Sequence, residues 1–251
     1  MAETASGMLN SIGLQGPGIG AFVEKDLAWL RSTGARALVS IAGNTAEEFG
    51  DVAEALAGSA AYDAVVGVEV NISCPNVANR GLVFACDALS SERVVRLVRE
   101  RLPAGTPIFA KLTPDVTDIV TIARACVDAG ADGLSMINTL LGMALDLDTM
   151  RPVLAGVTGG LSGRAIKPVA VRCIWQVHAA LPQVPILGMG GVASGRDAFE
   201  LVLAGASAVS VGTAIFHDPS APVRVLAQLT EVLAARGFTT LADAVGHAHR
   251  H

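Results

Sequence analysis

Cys74 is the residue whose surroundings first suggest a chemistry. It closes the run VGVEVNISCPN, in which Val66, Val68, Val70 and Ile72 are β-branched and Pro75 follows the cysteine directly. Such a run reads as a strand buried in a parallel sheet, and a proline cannot continue a ladder, so Cys74 falls just past the strand's carboxyl end. Folds that mix helices with parallel strands keep their chemistry at that end. An isolated cysteine is most often a small buried hydrophobe. Asn71 and Asn76 bracket this one with amides suited to hydrogen-bonding a flat polar ring, which makes the stretch poor core material. Two later strands end in Gly190-Gly191 and Gly212-Thr213, turns whose backbone N–H groups suit a phosphate, and a helix opening at Ser194 or Gly195 adds its N-terminus. One glycine pair is an ordinary tight turn; two, after the last two strands, form a stronger pattern.

The elements that must position these residues alternate along the chain. Residues 8–20 read as an ordered glycine-containing loop and 23–32 as a helix, followed by a strand over 37–42 and a helix over 46–57 capped by Asn44 or Thr45. After the strand that ends before Cys74 come a loop over 77–88 and a helix over 91–101. The spacing then predicts a strand over 107–112, a helix over 117–129 and a strand over 132–138. A loop carrying residues 159–163 leads to a helix over 165–180, strands over 185–189 and 206–211, and a last helix over 221–236. Strands that alternate with helices call for a parallel sheet, either doubly wound or closed as a (β/α)8 TIM barrel. Polar residues recurring at strand ends, and the absence of G-x-G-x-x-G after the first strand, favour the barrel. Closure takes eight strands and six are found, so the expectation is one domain over residues 1–251, a barrel shortened at its N-terminus. Unpaired edges are expected at 37–42 and 206–211.

Composition narrows the partners. The chain has 251 residues, of which 51% are hydrophobic and 16% charged, yet no apolar run approaches the roughly 18–20 residues of a membrane span. Its first ten residues carry no basic or apolar leader, which points to the cytoplasm. The net charge is -5 and the basic residues form no cluster, so neither nucleic acid nor a membrane surface is an expected partner. Cys74, Cys86, Cys126 and Cys173 are too widely spaced for a zinc site, and no metal is expected; the last three read as inert. His247, His249 and His251 read as a mobile tail without function.

The stretches ETASGMLNSIGLQGPG, NISCPN, MINTLLGM, GGLSGRAIKPVA, GMGGVASGRDAFE and GASAVSVGTAIF resemble the catalytic subunit of dihydroorotate dehydrogenases, over essentially the whole chain. A cysteine at the position of Cys74 resembles the soluble class, and the MLNSIGLQ and INTLLGM wording is most similar to the NAD-linked two-subunit type (1B). The resemblance implies FMN as cofactor and oxidation of (S)-dihydroorotate to orotate in pyrimidine biosynthesis, with Cys74 as the base. A free thiol titrates near pKa 8.5, so a modest shift makes it an effective proton acceptor at neutral pH. By the same resemblance the substrate is held by Asn71, Asn76, Asn138 and Thr139 and covered by the loop Asn10, Ser11, Ile12, Gly13 and Leu14. FMN is held by Lys111, Asn71, the backbone of Ile137, Gly163, Gly190, Gly191, Gly212 and Thr213, with Ser40 where the family has an asparagine. The implied partner is an iron-sulfur subunit carrying FAD and a 2Fe-2S cluster, with NAD as final acceptor, in an assembly that is a homodimer or heterotetramer. About two further βα units precede ETASGM in the family, with a Ser-Gly flavin contact and a lysine that touches both FMN and substrate. Their absence here implies a partly formed FMN site and poor solubility of the chain alone. The alternatives are a related FMN barrel such as dihydropyrimidine dehydrogenase, and a non-catalytic remnant.

Overall fold

The computed structural model describes residues 1–73 and 84–250. It opens with two short strands, β1 (Ala2–Thr4) and β2 (Gly7–Asn10), where the sequence suggested loop. A helical stretch runs as α1 (Ile19–Ala21), a π-turn (Phe22–Leu27) and α2 (Ala28–Ser32) into strand β3 (Ala37–Ile41). Helix α3 (Ala46–Ala57) starts at Thr45, whose hydroxyl accepts from the Glu48 N–H at 3.1 Å, and it buries Ala46, Phe49, Gly50, Ala53 and Leu56 along one stripe. Strand β4 (Val65–Val70) precedes α4 (Ala88–Arg101), which Asp87 caps by accepting from Ser90 N–H at 2.8 Å. The helix therefore begins three residues before the expected Ser91.

The chain continues through β5 (Ile108–Leu112), α5 (Ile119–Asp128) and β6 (Gly133–Met136). Four small strands follow: β7 (Leu140–Gly142), β8 (Leu145–Asp146), β9 (Arg151–Pro152) and β10 (Gly159–Ser162). Then come α6 (Lys167–Ala180), β11 (Ile186–Gly188), α7 (Gly195–Ala204), β12 (Ala208–Val209), α8 (Ala221–Ala235) and α9 (Leu241–Ala244). No helix among the described residues is long and apolar enough to cross a membrane.

Two compact units are distinguished, and the boundary runs through β6. In the unit of Gly13–Leu112 and Thr121–Leu134, β3, β4 and β5 lie side by side and parallel, with β3 outermost. Ser40 pairs with Glu69 and Glu69 with Phe109, so alternate residues share a face. Val39 and Ile41, Val68 and Val70, and Ile108, Ala110 and Leu112 are buried. The Asp132 N–H donates to Ile108 O at 2.9 Å and its carboxylate accepts from Ile108 N–H at 2.8 Å, while Arg99 donates to Gly130 O and Thr106 O and pairs with Asp132.

In the unit of Met1–Ile12, Thr113–Val120 and Ser135–His251, β11 and β12 are parallel, with β12 outermost. The Met189 N–H donates to Met136 O at 2.7 Å and the Ile137 N–H to Met189 O at 3.0 Å, which sets β6 beside β11. The strand order rises steadily with chain order in each unit and nowhere reverses. A doubly wound sheet reverses at its switch point, so this is the winding of a barrel. A separate antiparallel sheet of order β1-β2-β10-β7 lies in this unit, pairing Gly160 with Asn10 and Leu161 with both Leu9 and Leu140.

The expected mobile tail is packed at His247 and His249, and His251 lies outside the described residues. His249 stacks on Trp175 with ring centroids 3.6 Å apart and its Nε2 lies 3.1 Å from Ala204 O, while His247 meets Phe238 edge-on. Planar rings with a polar edge give even a chain end enough contact area to stay ordered.

Candidate active site

Cys74 and Asn76 lie outside the described residues, as does the loop over 77–83. Around their position β4 ends at Val70, and Asn71 continues the ladder by donating its N–H to Ile41 O at 2.9 Å. The Ser73 hydroxyl donates to Asn71 Oδ1 at 3.2 Å, which fixes that amide at the carboxyl end of the strand.

On one face of the three-stranded ladder stand Ser40, Glu69 and Lys111. The Ser40 hydroxyl donates to Glu69 Oε1 at 3.1 Å, and Lys111 Nζ lies 3.6 Å from the same oxygen. Glu69 is 9% exposed, and its side chain and that of Lys111 keep 11% and 14% of their surface. Burying either charge alone would be costly, so the two are held as a pair. Glu69 is the residue that sequence reasoning missed here. One acid in an otherwise apolar buried strand was the signal that could have found it. Ser40, expected to alter a flavin contact, is occupied by this carboxylate.

The other predicted residues, Gly13 and Leu14 excepted, fall in the second unit. Gly190 and Gly191 follow β11 with φ of 120° and 77°. A Cβ on Gly191 would stand 2.7 Å from Lys167 Cβ and 3.0 Å from Gly163 O, and one on Gly190 would stand 2.9 Å from Ala170 Cβ. The glycines are therefore required by backbone conformation and by the close approach of α6. A Cβ on Gly212 would meet nothing within 4 Å. Among the described residues, the N–H groups of Gly190, Gly191, Gly212 and Thr213 donate to no other protein group. Such donors and open space fit a phosphate. The start of α7 is different: Ser194 accepts from Asp197 N–H at 3.3 Å, Ala193 N–H donates to Asp197 at 3.2 Å and Gly195 N–H to Gln228 at 2.9 Å. The N–H groups of Ala193, Gly195 and Asp197 at this helix start are therefore already used.

Asp197 also binds Lys167 at 2.7 Å, and Lys167 reaches Glu200 at 2.7 Å. Burial pushes the Asp197 carboxyl up, but the hydrogen bonds from Lys167, Ser194 and Ala193 outweigh it and hold the group below its ordinary value. The bonds to Asp197 and Glu200 raise Lys167. This cluster ties α7 to α6 on the flank of the Gly190-Gly191 turn. It was not singled out from sequence, although a lysine in the first turn of α6, opposed to the helix dipole, is a visible oddity.

Gly163 (φ 88°) packs against Gly7, where a Cβ would come within 2.9 Å of its Cα. The Thr213 hydroxyl donates to Ser162 Oγ at 2.8 Å, which anchors that turn to β10. Gly160 lies between two predicted substrate ligands: its carbonyl accepts from Asn10 Nδ2 at 3.5 Å, and a Cβ there would fall 2.3 Å from Thr139 Oγ1. Ser11 packs beside Gly156, Ile12 is exposed, and Asn138 and Thr139 directly follow the buried Ile137. Gly13 (φ 81°) and the exposed Leu14 belong to the other unit, so the predicted covering loop spans the division.

The winding of the strands defines a barrel-type α/β protein. The family model described as dihydroorotate dehydrogenase matches residues 1–233. The chain is 52% identical over 246 residues to the dihydroorotate dehydrogenase B (NAD(+)), catalytic subunit, of Geobacter sp. (strain M21), an alignment covering 98% of this chain and 79% of that protein. The protein of the same name from Geobacter metallireducens is 50% identical over 97% of this chain and 78% of its own length. That from Alkaliphilus metalliredigens is 51% identical over 90% and 72%. The chain belongs to the dihydroorotate dehydrogenase family.

Proposed function

We propose that this chain oxidises dihydroorotate to orotate in pyrimidine biosynthesis, with FMN as its cofactor. The observation that carries the reading is the likeness to named catalytic subunits over 98% of this chain and 79% of the relative's length, and the unused N–H groups at Gly190, Gly191, Gly212 and Thr213 support the phosphate end of FMN. FMN, when bound, accepts the hydride that leaves substrate C6. Cys74 takes the proton from C5 on the opposite face of the ring. Asn71, Asn76, Asn138 and Thr139 orient the pyrimidine carbonyls, N–H groups and carboxylate without adding charge, and residues 10–14 cover it. Lys111, a cation fixed on the ladder face, stabilises the negative charge that reduction brings. Ile137 and Gly163 complete the backbone contacts. A partner subunit with FAD and a 2Fe-2S cluster passes the electrons to NAD, which the words "NAD(+)" and "catalytic subunit" in the relatives' names support.

The test is anaerobic addition of dihydroorotate to the FMN-loaded protein. Bleaching of the flavin absorbance by dihydroorotate and not by dihydrouracil is the expected result. Bleaching by dihydrouracil alone would make the chain a dihydropyrimidine-type enzyme, and bleaching by neither would overturn the assignment.

A further inference from the structure

We propose that Glu69 is a positioning residue for Lys111, setting how strongly that cation acts on the bound flavin. The inference rests on the reading of Lys111 as a flavin contact. Three strands contribute one residue each to a line of side chains on one face: Ser40 from β3, Glu69 from β4 and Lys111 from β5. Both polar contacts converge on one carboxylate oxygen, Glu69 Oε1. The Ser40 hydroxyl orients that oxygen, and the oxygen holds the ammonium. With both side chains nearly buried, Lys111 without this partner would have no opposing charge among the described residues to hold it on the face. Glu69 therefore does two things at once. It pins Nζ, and by holding the ammonium in an ion pair it lessens the positive field that Lys111 itself sets on the cofactor.

The experiment measures the two-electron midpoint potential and the FMN affinity of the flavin-loaded protein in four forms: wild type, Glu69→Gln, Lys111→Gln and the double variant. Glutamine keeps the shape of Glu69 and its bond from Ser40 while removing the charge. Lys111→Gln is expected to disfavour reduction. Glu69→Gln is expected to favour it about tenfold, a rise of about 30 mV for a two-electron couple, and this rise should vanish when Lys111 is already glutamine. An equal rise in both backgrounds would show that Glu69 acts on the flavin directly and would overturn the proposal. So would an unchanged potential in Glu69→Gln alongside a shifted one in Lys111→Gln. If Lys111→Gln moves neither potential nor affinity, the flavin reading of Lys111 is what fails. Ser40→Ala, a lesser change, is expected to shift the potential in the same direction by less. Should Glu69→Gln not fold, an unchanged potential in Ser40→Ala overturns the proposal by itself.

Discussion

At Gly191 a methyl group would collide with the backbone and side chain of Lys167 and would also have to accept φ of 77°. Gly191→Ala should cost about 1–3 kcal/mol from the backbone conformation alone, and it should weaken FMN binding as the turn shifts. Thermal melting and flavin titration of the purified variant check this, and unchanged values for both would remove Gly191 from the cradle. Two of the cysteines read as inert can be judged by their surroundings. Burial pushes the Cys126 thiol up to about 12, and burial raises Cys173 as well, so neither forms thiolate near neutrality. In the folded protein at pH 7.5 a thiol reagent should leave Cys126 and Cys173 unmodified and reach the exposed Cys86; peptide mapping after labelling decides it. At this scale the sequence showed which residue types stood at strand ends. It did not show what they touch: Glu69 reads as a lone charge in a strand until the register sets it between Ser40 and Lys111.

Helices were the most legible elements, because cap, acidic first turn and apolar stripe coincide. The bounds of α3 match the expected 46–57, and Thr45 is the cap of the two candidates considered. Thr45→Ala should destabilise the protein by about 1 kcal/mol, with a range of roughly 0.5–2, lowering the urea midpoint without changing the transition's slope. No change in midpoint would mean that the Asn44 bonds to Glu48, at 2.6 Å and 2.9 Å, suffice to start the helix. The antiparallel strands were illegible for a physical reason. β2 and β10 are four residues each and contain glycine, so neither alternation nor β-branched runs announce them, and they exist through pairing with each other and with β1 and β7. Strand ends were also overread: 206–211 shortens to Ala208–Val209, because the chain leaves the ladder to form the turn at Gly212.

On the scale of the whole chain, the winding was read correctly from the polar residues at strand ends and the absence of G-x-G-x-x-G after the first strand, because the alternation alone left a doubly wound sheet open, while the order of the described C-terminal residues was not foreseen. His178 lies between Gly205 and Gly246, so tightly that a Cβ on either would collide with its ring, and its buried Nδ1 has no partner among the described residues. Burial, and then the nearby His249, hold its pKa below the ordinary value. The folded state thus favours neutral His178, whereas the unfolded chain takes up the proton as pH falls through about 6.5. The stability that His178 contributes is present above that pH and is lost as the pH drops from there towards the lowered folded value. Melting temperature should fall between pH 7 and 5.5, and His178→Gln should flatten that fall; an equal slope in the variant would contradict the assignment. Asp197 acts in a separate window, its contribution being present above about pH 3.9 and lost as the pH falls below it.

We propose Cys74 as the base that takes the C5 proton while the hydride goes to FMN. The direct measurement is single-turnover reduction of bound flavin by dihydroorotate, followed by stopped-flow at pH 7, in wild type and Cys74→Ala. The variant is expected to bind FMN normally and to reduce it about 10² to 10⁴ times more slowly, with Cys74→Ser recovering only a small part. Flavin reduction by Cys74→Ala at a rate close to wild type would contradict the proposal.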